Sequence, residues 1–171
     1  MPAPKLLITG LPRTGKSALA MEVARELGLK LAGISTPEMK EGGERIGFAL
    51  LDLKTGKKGI LSSKSMRSPA NVGGYGVNLS DLNEIGVEAL EAAAFDTSVD
   101  LIVIDEIGKM ELFSKRFEEA VIACLKSNKP VLAVLNKDYL DKFGKYGEVL
   151  HLTLDNRPEI KKRLKEALKV R

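Results

Sequence analysis

Eight consecutive residues near the N-terminus have the types and the spacing of a phosphate-binding loop. The pattern G-x-x-x-x-G-K-S/T is matched in full by Gly10, Leu11, Pro12, Arg13, Thr14, Gly15, Lys16 and Ser17. In such a loop, backbone N–H groups and the positive end of the following helix surround a β-phosphate. Lys16 would reach the β and γ oxygens, and Ser17 would offer its hydroxyl to Mg²⁺. The pattern therefore predicts nucleotide binding by all eight residues and a catalytic role for Lys16.

A second candidate group is a pair of carboxylates at the end of an apolar strand, a Walker B pattern. The run 101–104 leads directly into Asp105 and Glu106. Asp105 is placed to hold Mg²⁺ through its water shell. Since neighbouring side chains on a strand point to opposite faces, Glu106 is the candidate to polarise an attacking water. Two carboxylates after an apolar strand can also arise by chance, but the phosphate loop favours the functional interpretation. Ser17 and Asp105 are thus the predicted magnesium ligands.

Asn136 follows the next apolar strand and has two interpretations. Its amide could sense the γ-phosphate or help position water, or it could be a turn residue, which the sequence favours at least equally. The stretch Asn136-Lys137-Asp138 is also similar to the guanine-reading N-K-x-D of GTPases. However, Tyr139 stands where that loop needs Asp, so a GTPase specificity loop is rejected.

Several further polar residues have weaker signals. Arg13 either adds a cation over the phosphates or projects into solvent, and the sequence leaves both open. Lys109 either touches the nucleotide or pairs with Glu106 or Glu111, and pairing is favoured. His151 is favoured as a core or edge residue rather than a ligand. A surface role is favoured over that of an arginine finger for each of Arg45, Arg67 and Arg157.

Alternating strand and helix patterns must position these groups. Apolar runs predict strands at 5–9, 30–35, 99–105, 130–135 and 148–154, and helical periodicity predicts helices at 16–27, 81–95 and 114–127. Asn156, with Pro158 and Glu159, marks the start of a last helix. Ser80 is the predicted N-cap of the second helix. A turn at 54–57 between apolar runs 46–53 and 58–62 predicts an inserted β-hairpin. This alternation indicates an α/β fold, with a mostly parallel sheet covered on both faces and ligands at the carboxyl ends of its strands.

Composition bounds the remaining possibilities. The chain has 171 residues, the size of one domain, with 44% hydrophobic and 29% charged residues, as in soluble globular proteins. Its net charge of +4 is too diffuse to argue for nucleic-acid binding. No apolar run is long enough for a membrane span, and no targeting segment is found. The single cysteine, Cys124, allows no intramolecular disulfide and indicates a reducing, cytoplasmic compartment.

The sequence around both phosphate motifs resembles that of the THEP-type nucleoside-triphosphatase family, the thermophilic and cancer-related nucleoside triphosphatases. Besides the phosphate loop, the similar stretches are 35–53, 72–82, 103–119 and 154–160, and the sequence DEIGKMEL is the most specific of them. The chain departs from the family at Arg13, where relatives usually have Gly, and at Ser17, where they often have Thr. The Arg13 change alters the flexibility of the phosphate loop and adds a charge to it.

The resemblance implies a fold and an activity. The fold would be a three-layer P-loop NTPase domain of RecA-like type spanning residues 1–171. The activity would be Mg²⁺-dependent hydrolysis of ATP, GTP and other nucleoside triphosphates to diphosphate and phosphate, with little base selectivity. Glu106 would be the catalytic base. The second nucleotide-contacting segment would be Leu101, Ile102, Val103, Ile104, Asp105, Glu106, Ile107 and Gly108.

Two other function classes stay open at this point. The loop GLPRTGKS is somewhat similar to the phosphate loop of thymidylate kinases, which makes a small nucleoside or nucleotide kinase the main alternative. A kinase needs an acceptor site and usually an arginine-rich lid, which the segment 35–75 could supply. The third class is a nucleotide-dependent switch with negligible turnover. The short chain, and Glu106 beside Asp105, favour hydrolysis by water.

Overall fold

Short runs of Val, Ile and Leu form the central strands, because such side chains pack on both faces of a parallel sheet. The structure, a computed structural model, describes residues 2–169. In chain order the strands are β1 (Lys5–Thr9), β2 (Leu31–Ser35), β3 (Glu38–Glu41), β4 (Glu44–Asp52), β5 (Lys58–Ser63), β6 (Asn71–Val72), β7 (Tyr75–Val77), β8 (Leu101–Ile107), β9 (Val131–Leu135) and β10 (Glu148–His151). The helices are α1 (Lys16–Glu26), α2 (Leu79–Asp81), α3 (Glu88–Phe95), α4 (Lys115–Lys126), α5 (Leu140–Phe143) and α6 (Arg157–Lys169).

One sheet contains all ten of these strands, in the order β10-β1-β9-β8-β2-β4-β5-β7-β6, with β3 paired to β4. The five strands from β10 to β2 are mutually parallel. The predicted α/β fold with a parallel central sheet is therefore confirmed. Because β9 lies between β1 and β8, the loop after β1 and the carboxylates of β8 meet at the same edge, across the end of β9.

Helices cover both faces of the parallel strands, which gives three layers. Alternate residues of β8 enter opposite cores: Leu101 and Val103 pack with α1 and α6, and Ile102 and Ile104 pack with α3 and α4. All four side chains are fully buried. The strand that leads to the two carboxylates is thus held rigidly from both sides. No helix within residues 2–169 is both long and apolar enough to cross a membrane.

The insertion is larger than the predicted hairpin. The hairpin itself is present, with β4 and β5 antiparallel, and β4 joins the edge of the parallel sheet through β2. Three short strands, β3, β6 and β7, extend it. Together these strands form an antiparallel wing beside the carboxyl ends of the parallel strands.

Several predicted boundaries were wrong. Asn78, not Ser80, caps the second helical segment, since its Oδ1 accepts the N–H of Asp81 at 3.0 Å. That segment starts at Leu79 and contains a π-helical turn over Leu82–Val87. The final strand stops at His151 rather than 154, because the chain then turns and the Thr153 N–H donates to Asn156 Oδ1 at 2.7 Å. β8 continues to Ile107, two residues beyond the predicted end.

Candidate active site

The phosphate loop follows β1 and is packed tightly against the chain that leaves β10. Gly10 has φ +148°, and a Cβ there would lie 2.4 Å from the carbonyl oxygen of Leu152. Only glycine fits this position. Within the loop, Thr14 Oγ1 donates to the carbonyl of Leu11 at 2.9 Å. The loop conformation is therefore set by both its own residues and the neighbouring segment.

Helix α1 begins directly at the end of the loop. Its N-cap, Gly15, offers no side-chain acceptor, so the first N–H groups of the helix stay available for an anion. Lys16 folds back over the loop, and its Nζ donates to the carbonyls of Gly10 at 3.0 Å and Leu11 at 2.8 Å. Burial lowers the pKa of Lys16, while the negative charges of Glu106 and Asp105 oppose that shift. The Lys16 ammonium group therefore lies over the loop, where the phosphates of a bound nucleotide would contact it.

Ser17 and Asp105, the two predicted magnesium ligands, are brought together. Ser17 Oγ donates to Asp105 Oδ1 at 2.7 Å. Asp105 is only 5% exposed, and burial raises the pKa of its carboxyl, opposed by the Ser17 hydrogen bond and by Lys16. Within residues 2–169 no group of three or more His, Cys, Asp or Glu is arranged to hold a metal. A hydroxyl with one carboxylate suits Mg²⁺, which prefers oxygen donors and takes its remaining ligands from water and phosphates.

Glu106 sits at an irregularity in β8. The register between β8 and β9 shifts between Asp105 and Ile107, so Glu106 is left out of the regular pairing. Bulges of this kind re-aim a side chain next to active sites. Glu106 is half-buried, and burial followed by the charge of Asp105 raises the pKa of its carboxyl, while Lys16 opposes that shift.

The other residues of the predicted second segment have different positions. The side chains of Leu101, Ile102, Val103 and Ile104 lie in the two cores, and Ile107 is fully buried. Direct nucleotide contact by these residues stays a prediction, since their visible role is to hold Asp105. Gly108 keeps space open at the end of the strand, because a Cβ there would lie 2.8 Å from Glu106 Oε1.

Glu111 is a site residue that sequence reasoning did not assign to the chemistry. It is 2% exposed, and its Oε1 lies 3.2 Å from the same Gly108 Cβ position. Burial raises the pKa of Glu111 well above its usual range, and the charge of Glu106 adds to the shift. With Glu106 and Asn136 it lines a cavity of about 150 Å³. In sequence it lies five residues after Glu106, within the DEIGKMEL stretch, but the turn that folds it back towards Glu106 was not predicted.

Of the remaining candidate residues, Asn136 is partly buried beside Glu106, and three others are exposed. Asn136 lines the Glu106 cavity and also accepts the N–H of Asp138 at 2.9 Å, so both of its interpretations have support. Lys109 is exposed and, within the described chain, pairs with neither Glu106 nor Glu111, so the favoured pairing was wrong. Arg67 is exposed, as is His151 at the end of β10.

Arg157 is partly exposed and also contacts the phosphate loop, a contact that its predicted surface role did not include. It is the first residue of α6, and its Nη1 donates to the carbonyl of Gly15 at 3.3 Å. Its Nη2 pairs with Glu22 of α1 at 3.3 Å. A cation from the far end of the chain therefore sits against the last glycine of the phosphate loop.

Comparison with known proteins agrees with this geometry. A family model described as NTPase matches residues 5–165. The nucleoside-triphosphatase THEP1 of Methanocaldococcus jannaschii is 40% identical over 159 residues, covering 91% of this chain and 92% of the relative. The chain belongs to the THEP1 nucleoside-triphosphatase family. This membership, expected from the DEIGKMEL stretch, is confirmed across nearly the whole sequence.

Two solved structures share the THEP1 fold with this chain. The crystal structure of THEP1 from Aquifex aeolicus superposes with a TM-score of 0.82 at 33% identity, covering 96% of this chain and 99% of the other. The solution structure of a human cancer-related nucleoside triphosphatase gives a TM-score of 0.81 at 28% identity, with 98% of each chain covered. The P-loop NTPase fold expected from the resemblance is thus confirmed.

Proposed function

We propose that this THEP1 family member hydrolyses nucleoside triphosphates, ATP and GTP among them, to diphosphate and phosphate, with Mg²⁺ as cofactor and little base selectivity. The observation that carries the proposal is the 2.7 Å bond between Ser17 and Asp105, which joins the phosphate loop to the carboxylate strand next to Glu106. The names of the relatives, nucleoside-triphosphatase THEP1, support the same activity.

Binding rests on the loop and the start of α1. The free N–H groups of the first helical turn and the dipole of α1 attract the β-phosphate. Lys16 Nζ donates hydrogen bonds to two backbone carbonyls, at 3.0 and 2.8 Å. When a nucleotide binds, these bonds are replaced by bonds to phosphate oxygens. This exchange replaces neutral acceptors by charged ones and so favours the bound state.

Magnesium would be held by Ser17 and Asp105 together with the phosphates. When bound it supplies positive charge that offsets the charge developing on the β and γ oxygens. The burial of Asp105, at 5% exposure, limits competing solvent around its carboxylate. Thr36 Oγ1 donates to the Asp105 carbonyl at 2.9 Å and fixes the backbone of this ligand.

Glu106 is the group that orients and deprotonates the attacking water. Its raised pKa brings the carboxylate closer to the pH at which a general base works well. Glu111 stands beside it in the cavity of about 150 Å³, which can hold a few water molecules. No covalent intermediate is needed, so positioning and electrostatics provide the rate enhancement.

Low base selectivity and a cytoplasmic location complete the proposal. The segment after β9 that would read guanine in a GTPase has Tyr139 in place of the required Asp and instead forms a 3-10 turn over Lys137–Tyr139. Cys124 is a free, buried cysteine, and burial raises the pKa of its thiol to about 12. Such a thiol is unreactive, and a free thiol of this kind fits the reducing cytoplasm.

One assay tests the activity against the alternatives. ATP, GTP, CTP and UTP are incubated with the protein with Mg²⁺ or with a chelator, and with or without nucleosides and nucleoside monophosphates. Phosphate release from all four triphosphates, dependent on Mg²⁺ and independent of acceptor, is the expected result. Phosphorylated acceptor with little free phosphate would indicate a kinase, and tight binding without turnover would indicate a switch.

A further inference from the structure

An open cleft of about 690 Å³ lies between the phosphate loop and the antiparallel wing. We call it the wing cleft, and the side chains that matter in it are Arg13, Glu38, Lys40, Glu44, Arg45, Lys64 and Tyr75. Its volume is that of a small-molecule site. Hydrolysis as proposed above uses none of these residues except Arg13, so the cleft needs a separate explanation.

The wing cleft has an excess of positive charge. Four of its side chains are cationic (Arg13, Lys40, Arg45, Lys64) and two are acidic (Glu38, Glu44). Glu38 is already shared between Arg45 at 3.5 Å and Lys40 at 3.9 Å. A concave surface of this kind focuses positive potential and attracts anions.

Arg45 lines the cleft and is held by contacts with two aromatic side chains. Its Nε donates to the hydroxyl of Tyr75 at 3.1 Å, and its Cζ lies 5.0 Å from the ring centre of Phe48 and 5.3 Å from that of Tyr75. Tyr75 is 8% exposed, whereas 43% of the Arg45 side chain is open to solvent. A guanidinium fixed in this way loses little entropy when it binds an anion in a bidentate manner.

The second cation beside this aromatic pair is Lys64. Its Nζ lies 5.8 Å from the ring centre of Tyr75, just beyond the end of β5. The third cation, Arg13, belongs to the phosphate loop and is exposed, with φ +65°. Three cations, from the phosphate loop, from β4 and from just after β5, therefore line one cleft next to the place expected for the triphosphate.

We propose that the wing cleft is a second anion site, which binds a phosphomonoester beside the nucleotide. A doubly charged phosphate matches the fork of Arg45 and the charges of Arg13 and Lys64. The inference rests on the proposed function in one respect, namely that the phosphate loop holds a triphosphate. The ligand would then lie next to that triphosphate without occupying the loop.

Calorimetric titration tests this site with the loop blocked. The protein is first saturated with Mg²⁺ and the β,γ-methylene analogue of ATP, and then titrated with AMP, inorganic phosphate or adenosine. We expect one equivalent of AMP to bind and adenosine not to bind. Affinity for AMP above that for phosphate assigns a phosphomonoester site, whereas equal affinity assigns a free-phosphate site within the same anion chemistry.

Variants locate the binding. Arg45→Ala should weaken AMP binding about tenfold or more, the loss expected for a charged hydrogen-bonding group. Arg45→Lys should be intermediate, because it keeps the charge and loses the fork. Lys58→Ala is the matched control, since this lysine begins β5 outside the cleft. Unchanged analogue binding and thermal unfolding show that each variant is folded.

The outcomes separate this inference from the proposed function. If adenosine binds as well as AMP, if AMP does not bind, or if Arg45→Ala binds AMP like the wild type, the anion site is refuted. If the analogue itself does not bind, the proposed function fails instead. In that case AMP titration of the Lys16→Ala protein, whose loop is disabled, still tests the cleft.

Discussion

Ser17 Oγ donates a 2.7 Å hydrogen bond to Oδ1 of Asp105, although the two residues are 88 positions apart in sequence. The bond ties the first turn of α1 to the end of β8. It brings together the two oxygen donors that an Mg²⁺ ion bound to a phosphate chain would use. Both the proposed metal requirement and the alignment of the loop with the carboxylates rest on this pair.

Ser17→Ala should therefore shift the Mg²⁺ dependence of hydrolysis. We expect half-maximal rate at a Mg²⁺ concentration at least about tenfold higher, because a donor to the metal is lost. Ser80→Ala, at an exposed serine of α2, is the control and should leave the curve unchanged. The measurement is phosphate release as a function of Mg²⁺ at saturating ATP. An unaltered Mg²⁺ curve in Ser17→Ala would remove this residue from the metal site.

Glu106→Gln should separate binding from chemistry. The amide keeps the shape of the side chain but cannot accept a proton from water, so turnover should fall by roughly two to four decades. Affinity for the Mg²⁺-bound triphosphate should stay within about a factor of three, since binding rests on the loop. Single-turnover kinetics and calorimetry measure the two quantities. A variant that hydrolyses ATP at the wild-type rate would show that another group activates the water.

Gly108→Ala should displace the Glu106 carboxylate, because the added methyl group needs the space that this carboxylate occupies. The new methyl group would lie 2.8 Å from Glu106 Oε1 and 3.2 Å from Glu111 Oε1, so at least one of these side chains must move. Small displacements of a catalytic group cost about 10- to 100-fold in rate. Gly144→Ala is the control, because its Cβ would only make an ordinary 3.6 Å contact with Val149. Equal rates in the two variants would mean that Glu106 tolerates displacement.

Glu111 should make folding stability depend on pH. Its folded-state pKa is raised above the ordinary 4.5, so its contribution to stability is fully present below pH 4.5 and is lost as the pH rises towards the folded value. Over that window the free energy of unfolding should fall by up to about 1.4 kcal/mol per pH unit relative to Glu111→Gln. Urea unfolding at pH 5, 6 and 7 measures the difference.

The control for Glu111 is Glu119→Gln, which changes an exposed glutamate of α4. Its stability should parallel that of the wild type at every pH. A Glu111→Gln protein that also parallels the wild type would indicate that Glu111 is ionised in the folded state at its usual pKa.

Arg157→Ala should weaken triphosphate binding by about two- to tenfold, the range of a typical net hydrogen bond. The guanidinium donates to the Gly15 carbonyl at 3.3 Å and so polarises the peptide whose N–H belongs to Lys16. Lys161→Ala is the matched control, because Lys161 also pairs with Glu22, at 3.4 Å, and links α6 to α1 without touching the loop. Equal loss of affinity in both variants would reduce Arg157 to a helix-packing role.

Much of the fold could be read from local patterns. The parallel strands have continuous apolar runs, α1 and α4 have helical periodicity, the start of α6 is marked by Asn156 and the residues after it, and the hairpin has a clear turn. The misplaced ends have a physical cause in each case. β8 runs past its predicted end because the irregularity at Glu106 lets pairing resume at Ile107 with Leu135. Asn78 replaced Ser80 as a cap because its side chain, two residues earlier, reaches the N–H of Asp81.

The amino-acid sequence alone identified the candidate phosphate loop and the pair Asp105 and Glu106, because their proposed functions depend on contiguous residues whose backbone and side chains act together. Tertiary structure alone decided which distant groups join them. Arg157 reaches Gly15 across 142 positions, and Glu111 returns to Glu106 through a turn that was not predicted from the sequence. The wing cleft exists only because the sheet order places β3, β4 and β5 beside the loop. Such contacts follow from packing and strand order, which no local pattern encodes.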